Sequence, residues 1–105
     1  MQALNYTAAY FDPRYGAECR LALGKLYLKQ GRIPEAQSQL TAALNDASRA
    51  HSVYNLLGVA AARQNDLEAA EGFFNKALEI DPGYAPARAN QARLKQQRAP
   101  SLDSQ

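Results

Sequence analysis

The stretch Tyr54–Pro82, YNLLGVAAARQNDLEAAEGFFNKALEIDP, determines how the rest of the chain is interpreted. It contains two segments in which apolar residues recur every three or four positions, the spacing that places them on one face of an α-helix. The short polar stretch Gln64-Asn65-Asp66 separates the two segments. The sequence therefore predicts two helices joined by a tight turn.

This unit has a copy upstream, displaced by a shift of 34 residues. The shift places Leu57-Gly58 on Leu23-Gly24. Further identical matches are Ala70 with Ala36, Ala77-Leu78 with Ala43-Leu44 and Gln64 with Gln30; conservative matches are Phe74 with Leu40, Leu67 with Ile33 and Arg63 with Lys29. A constant period of roughly 20–50 residues is typical of repeat proteins. We therefore expect one repeat at residues 17–50 and a second at residues 51–84.

Composition excludes several classes of protein. A chain of 105 residues is long enough for one domain with a modest core. The net charge of +2 is too small to indicate a polyanionic partner, and one cysteine, Cys19, excludes an intramolecular disulfide. No apolar run approaches the roughly 18–20 residues of a membrane helix, and the first residues lack a signal-peptide pattern. We expect no membrane insertion and leave the compartment unknown.

Turn residues set the expected helix boundaries. Gly31 is predicted to end a helix over 17–30 in a left-handed conformation, and Asn65 stands at the same place in the second repeat. Pro34 fits only the first turn of the next helix, and Asp66 is a candidate N-cap. A last helix is expected over 86–98. Its predicted inward residues are Ala85, Ala89 and Ala92, with Leu94 as a further candidate.

The two ends of the chain are interpreted separately. Asp12-Pro13-Arg14-Tyr15 repeats the pattern of Asp81-Pro82-Gly83-Tyr84, so residues 1–16 are predicted to be the second half of an incomplete repeat and its turn. The chain would then be a fragment of a longer array. Residues 85–99 are expected to form a solvating cap helix, and residues 100–105 a disordered tail.

These repeats resemble the tetratricopeptide repeat (TPR) family, whose 34-residue signature has small and large residues at fixed positions. The matching positions are Leu23, Gly24, Tyr27, Ala36, Leu40 and Ala43 in the first repeat, and Tyr54, Leu57, Gly58, Ala61, Ala70, Phe74, Ala77 and Pro82 in the second. Arg20 and Ser48 differ from the residues that the signature has at their positions. The resemblance implies an all-α, right-handed superhelix of antiparallel helix pairs, with about five helices.

Chemistry-bearing motifs are scarce. The single histidine, His51, has no nucleophile elbow or ligand-spaced partner, and no glycine-rich phosphate loop is present. We therefore expect no enzyme activity, no catalytic or metal-binding residue and no cofactor.

The resemblance implies instead that the first helices of successive repeats line a concave groove. The residues carried onto that groove are Leu21, Lys25, Leu28, Lys29, Asn55, Val59, Arg63 and Arg93. Apolar and basic residues together suit a partner peptide that is apolar and acidic. The expected function is a non-catalytic protein–protein interaction scaffold. Its alanine-, glutamine- and arginine-rich repeats are similar in character to bacterial pilus-assembly and secretion proteins.

Two alternatives stay open at this point. Leu21, Leu28, Tyr10 and Phe11 would be exposed where neighbouring repeats are missing, which favours self-association as a homodimer. The last helix carries Arg88, Arg93, Lys95 and Arg98, a pattern that also suits an acidic partner or a nucleic acid. Nucleic acid is disfavoured, because a cap helix must be polar and basic residues favour a helix C-terminus.

Overall fold

A computed structural model describes residues 16–98, which form an all-α fold, as predicted. No strand occurs within this range. The five α-helices are α1 (Gly16–Lys29), α2 (Ile33–Ala43), α3 (Ala50–Arg63), α4 (Leu67–Ile80) and α5 (Ala85–Arg98), with a 3-10 turn at Ala47–Arg49 before α3. The predicted half repeat, with Tyr10 and Phe11, and the predicted tail lie outside the described residues.

The helices pack in sequence order, as expected for stacked repeats. The pairs α1–α2 and α3–α4 make the most extensive contacts, and α2 packs on α3 as α4 packs on α5. Smaller contacts join α1 to α3 and α3 to α5. The first helices of the repeats, α1 and α3, therefore lie side by side with α5 and share one face of the molecule.

Both tight turns within the pairs use a left-handed residue, which confirms the predicted caps. Gly31 has a φ of 76° and Asn65 a φ of 64°. After Gly31, the Arg32 amide donates to the carbonyl of Tyr27 at 2.8 Å; after Asn65, the Asp66 amide donates to Ala61 at 2.9 Å. These bonds satisfy carbonyls that a helix end leaves unpaired. The two repeats therefore turn by the same backbone geometry.

Two aspartates cap the helices that follow a turn. The side chain of Asp66 accepts a hydrogen bond from the amide of Ala69 at 3.2 Å. Asp46 accepts from the amide of Ser48 at 3.0 Å and from its hydroxyl at 2.6 Å. The turn between the repeats is thus held by Asp46 although Ser48 departs from the family pattern.

Each helix pair is built on one small and one large residue. Leu40 lies against Gly24, and Phe74 lies against Gly58; all four residues are buried. The other signature residues that are buried are Ala36, Ala43, Leu57, Ala61, Ala70 and Ala77, whereas Leu23, Tyr27 and Tyr54 are half-buried and Pro82 is exposed. Small residues at the crossing allow the helices to approach closely, and the large ones fill the space between them.

The expected inward residues of α5 are wrong except for Leu94. Ala85, Ala89 and Ala92 are exposed, whereas Ala87 and Leu94 are buried. Helical spacing alone does not fix which side of α5 meets the preceding repeat. Among residues 16–98, α5 packs only on the preceding repeat, so the residues that face that repeat are the buried ones.

The outer side of α1 carries an exposed apolar residue. Leu26 is 48% exposed, while Ala60 and Leu94, which occupy the same place in α3 and α5, are 0% and 3% exposed. Ala60 and Leu94 are covered because a preceding repeat packs on them. Within residues 16–98, Leu26 has no such cover.

Candidate functional site: the face formed by α1, α3 and α5

The face shared by α1, α3 and α5, called here the inner face, contains two depressions. The first, the α1–α3 pocket, has a volume of about 390 Å³ and is lined by Glu18, Leu21, Ala22, Lys25, Ser48, Arg49, His51 and Ser52. The second, the α3–α5 pocket, has a volume of about 290 Å³ and is lined by Val59, Ala62, Arg63, Phe74, Asn90, Arg93, Leu94 and Gln97. Each pocket lies where two first helices meet.

The predicted groove residues divide between these pockets. Leu21 and Lys25 line the α1–α3 pocket, and Val59, Arg63 and Arg93 line the α3–α5 pocket. Lys29 is exposed at the end of α1 and lines neither pocket.

The remaining two groove residues are covered. Leu28 is 5% exposed and packs in the core with Val53 and Leu57, so the expectation that it forms an exposed edge is wrong. At this position of the groove pattern, the Leu28 side chain faces α3 rather than solvent. Asn55 is 6% exposed and serves the pocket indirectly, through a hydrogen bond described below.

The floor of the α3–α5 pocket is apolar. Phe74 and Leu94 belong to the buried core, and Val59 and Ala62 are half-buried beside them. A ligand group that enters this pocket therefore meets core side chains directly. Burying an apolar group against such a floor is favourable in proportion to the apolar area removed from water.

The rim of the same pocket is cationic. Arg63 donates a hydrogen bond from Nη1 to the backbone carbonyl of Leu28, near the end of α1 where carbonyls carry partial negative charge. Arg93 makes no hydrogen bond or ion pair within residues 16–98. Among the described lining residues there is no carboxylate. The charges of the two arginines are therefore not compensated by acids in the pocket lining.

A pair of asparagines fixes one wall of the pocket. Asn90 donates from Nδ2 to Oδ1 of Asn55 at 2.9 Å, which joins α5 to α3. Asn55 is nearly buried, and a buried amide is costly unless it has such a partner. Sequence reasoning missed Asn90 as a pocket residue, because the position of α5 against α3 depends on packing that the repeat pattern does not describe.

The α1–α3 pocket differs in its electrostatics. Arg49 approaches Glu18 at 3.6 Å and Asp46 at 3.4 Å, so its charge is compensated. The hydrogen bond from the Ser48 hydroxyl, followed by smaller effects that include Arg49, holds the pKa of Asp46 below its ordinary value. Sequence reasoning also missed Arg49, which lies in the turn before α3.

Two further findings concern residues 16–98 only. They contain no group of three or more histidine, cysteine, aspartate or glutamate side chains that could hold a metal ion. None of their helices is both long enough and apolar enough to span a bilayer.

Two helix pairs with a common turn geometry, stacked so that their first helices share a face, define a helical repeat protein. The sequence model of the tetratricopeptide repeat matches residues 21–85. The chain belongs to the tetratricopeptide repeat family. This class of domain serves as a protein–protein interaction scaffold and is typically non-catalytic.

Two curated proteins are similar to this chain. The mouse protein O-mannosyl-transferase TMTC2 is 34% identical over 79 residues, which cover 72% of this chain and 9% of that protein. The Xenopus laevis protein O-mannosyl-transferase tmtc2 is 32% identical over 79 residues, with the same coverage. The chain thus spans about a tenth of the length of these relatives, and the transfer reaction in their names is a property of those proteins.

Proposed function

We propose that this chain is a non-catalytic interaction module that binds a segment of a partner protein along its inner face. The observation that carries the proposal is the pair of adjacent pockets on that face. Side chains of a bound segment can enter these two pockets, as side chains of bound peptides do in the grooves of other helical domains.

We further infer that the partner segment is acidic and apolar. Lys25, Lys29, Arg63 and Arg93 are cations on or beside the inner face, and none of them forms an ion pair within residues 16–98. Glu18 is the only carboxylate in the two pocket linings, and Arg49 neutralises it. Complementary charge favours encounter with an acidic segment and disfavours a basic one.

The test uses a library of random dodecapeptides selected against the chain, followed by anisotropy measurements with the selected peptides. A variant with Lys25, Lys29 and Arg63 all changed to glutamate should lose binding. The matched control changes Lys76, Arg88 and Lys95 to glutamate, because these lysine and arginine residues are exposed and line neither pocket. Equal binding by the two variants, or no selectable peptide at all, would overturn the proposal.

Self-association is the second candidate, and the exposure of Leu26 favours it. This side chain is exposed on the outer side of α1, away from both pocket linings. Light scattering over a concentration series tests the candidate: a dimer that Leu26→Gln converts to a monomer supports it. A monomer throughout the series would exclude it.

The arrangement of basic residues on α5 does not favour a nucleic-acid partner. Arg88 and Lys95 are seven residues apart and share one side of the helix, whereas Arg93 lines the α3–α5 pocket. The described cations of α5 therefore do not form a single stripe along a phosphate backbone. The bacterial assembly setting stays a prediction.

A further inference from the structure

The α3–α5 pocket is chemically distinct from the rest of the inner face. We propose that it recognises one acidic side chain and one bulky apolar side chain that lie on the same face of the bound partner segment. The inference rests on the proposed function and adds a specificity to it. The α1–α3 pocket, in which Arg49 is already paired and Lys25 is the described cation without an ion pair, then selects less strongly for an acid.

The size of the pocket limits its occupant. Pockets that enclose whole small molecules measure roughly 300–1,000 Å³, and this one measures about 290 Å³. This volume, at the lower end of that range, has room for one or two side chains of a bound segment. The floor made by Phe74, Leu94 and Val59 offers no polar side chain to an entering group, so the group that reaches it is apolar.

The charge of the rim favours an anion. Arg63 is oriented by its bond to the Leu28 carbonyl and retains guanidinium N–H groups that this bond does not use. Arg93 has no ionic partner within residues 16–98. A guanidinium binds a carboxylate through two parallel hydrogen bonds, which a lysine cannot reproduce.

The comparison with the α1–α3 pocket supports this assignment. There, Arg49 already contacts two carboxylates, so an incoming acid would compete with both at Arg49 and would otherwise meet Lys25, which lacks the two-pronged geometry of a guanidinium. In the α3–α5 pocket the described lining contains two arginines and no competing acid. An acidic side chain of the partner is therefore expected to bind in the second pocket.

The spacing of the two partner side chains follows from their sharing one pocket. Residues two apart in an extended segment, or three to four apart in a helix, project to the same side. The bound segment is thus expected to carry an aspartate or glutamate separated by one of these intervals from a leucine, isoleucine, methionine or aromatic residue.

The experiment measures binding of the library-selected dodecapeptides and of copies in which each acid is replaced by its amide. For the wild-type chain, the replacement should weaken binding about two- to fivefold, the range of an exposed ion pair. In the Arg63→Gln and Arg93→Gln variants, replacing the acid of the peptide by its amide should have little effect, because the arginine charge that pairs with the acid has been removed. Arg88→Gln, on the same helix but outside the pocket, is the matched control and should behave like wild type.

The apolar floor is tested by filling it. Ala62→Phe should obstruct the α3–α5 pocket and remove most of the binding, and Ala22→Phe in the α1–α3 pocket should have a smaller effect. Thermal unfolding followed by circular dichroism checks that each variant is folded. Should Arg63→Gln unfold, Arg63→Lys retains the charge and tests the paired geometry alone.

The outcomes separate this inference from the proposed function. Peptides that need Lys25 and Lys29, yet lack the acid–apolar pair or do not respond to Arg63→Gln and Arg93→Gln, would overturn the inference and leave the function standing. If the triple glutamate variant binds as well as wild type does, both fail.

Discussion

Gly58 lies so close to Phe74 that a Cβ atom added to the glycine would come within 2.6 Å of Cδ1 of the ring. Gly24 stands in the same relation to Leu40, whose Cδ2 would be 2.6 Å from such an atom. Both glycines mark the crossing of the two helices of a pair. Each helix pair therefore requires, at its crossing, a residue without a side chain opposite a large buried side chain.

Replacing Gly58 is expected to destabilise the second repeat. Gly58→Ala should lower the free energy of unfolding by about 1–3 kcal/mol, the usual cost of overpacking a core, and Gly58→Leu should cost more. The Phe74 side chain is buried, so a shift of its ring would disturb the core residues around it. Urea denaturation measures the change, and an unaltered midpoint would show that the helices separate without penalty.

Gly72 provides the opposite case within α4. It is exposed, and an added Cβ would meet no atom within 4 Å. Because glycine costs about 0.5–1 kcal/mol relative to alanine inside a helix, Gly72→Ala should stabilise the chain by that amount. A lower melting temperature in this variant would contradict the exposed position of Gly72.

The two left-handed turns should respond in opposite directions. Gly31→Ala places a Cβ at a φ of 76° and should cost about 1 kcal/mol, because left-handed backbone is unfavourable for residues with a side chain. Asn65→Gly removes a Cβ from the same conformation and should be neutral or slightly stabilising. Thermal melts of the two single variants measure both effects, and a loss of stability from Asn65→Gly would show that its side chain has another role.

The asparagine pair is expected to control the docking of α5. Asn55→Ala removes the acceptor of the 2.9 Å bond from Asn90 and should cost about 1 kcal/mol. The effect should be local, so hydrogen exchange should accelerate most in the amides of α5. Asn45→Ala is the control, since Asn45 is exposed and no described hydrogen bond joins its side chain to α5. Uniform acceleration over all five helices would contradict a local role.

Local chemistry explains which parts of the fold were predictable. Gly31, Asn65 and Asp66 act through their own backbone or the next turn, so their roles follow from residue type and position. The alternation of small and large residues likewise repeats in register. The face of α5 did not follow, because Ala89 is covered or exposed according to which helices surround it. Within residues 16–98, α5 packs only on the helices of the preceding repeat.

The residues of the candidate site were likewise predictable only in part. Val59 and Arg63 were assigned to the inner face from the repeat register, and they line the α3–α5 pocket. Leu28 was misassigned because the register does not show how deeply α3 covers the end of α1. Asn90 was missed because its contact with Asn55 joins residues 35 positions apart, and no local pattern reports such a contact.

One wall of the α3–α5 pocket is a helix whose described buried side chains are only Ala87 and Leu94. A helix held by so few buried side chains is expected to undock locally more easily than α3 or α4, and only its docked form completes the pocket. A ligand that contacts both α3 and α5 raises the docked population, and its apparent affinity falls in proportion to the undocked fraction. Substitutions that strengthen the packing of α5 on the preceding repeat, even those far from the pocket, should therefore slow the dissociation of a ligand bound in the pocket.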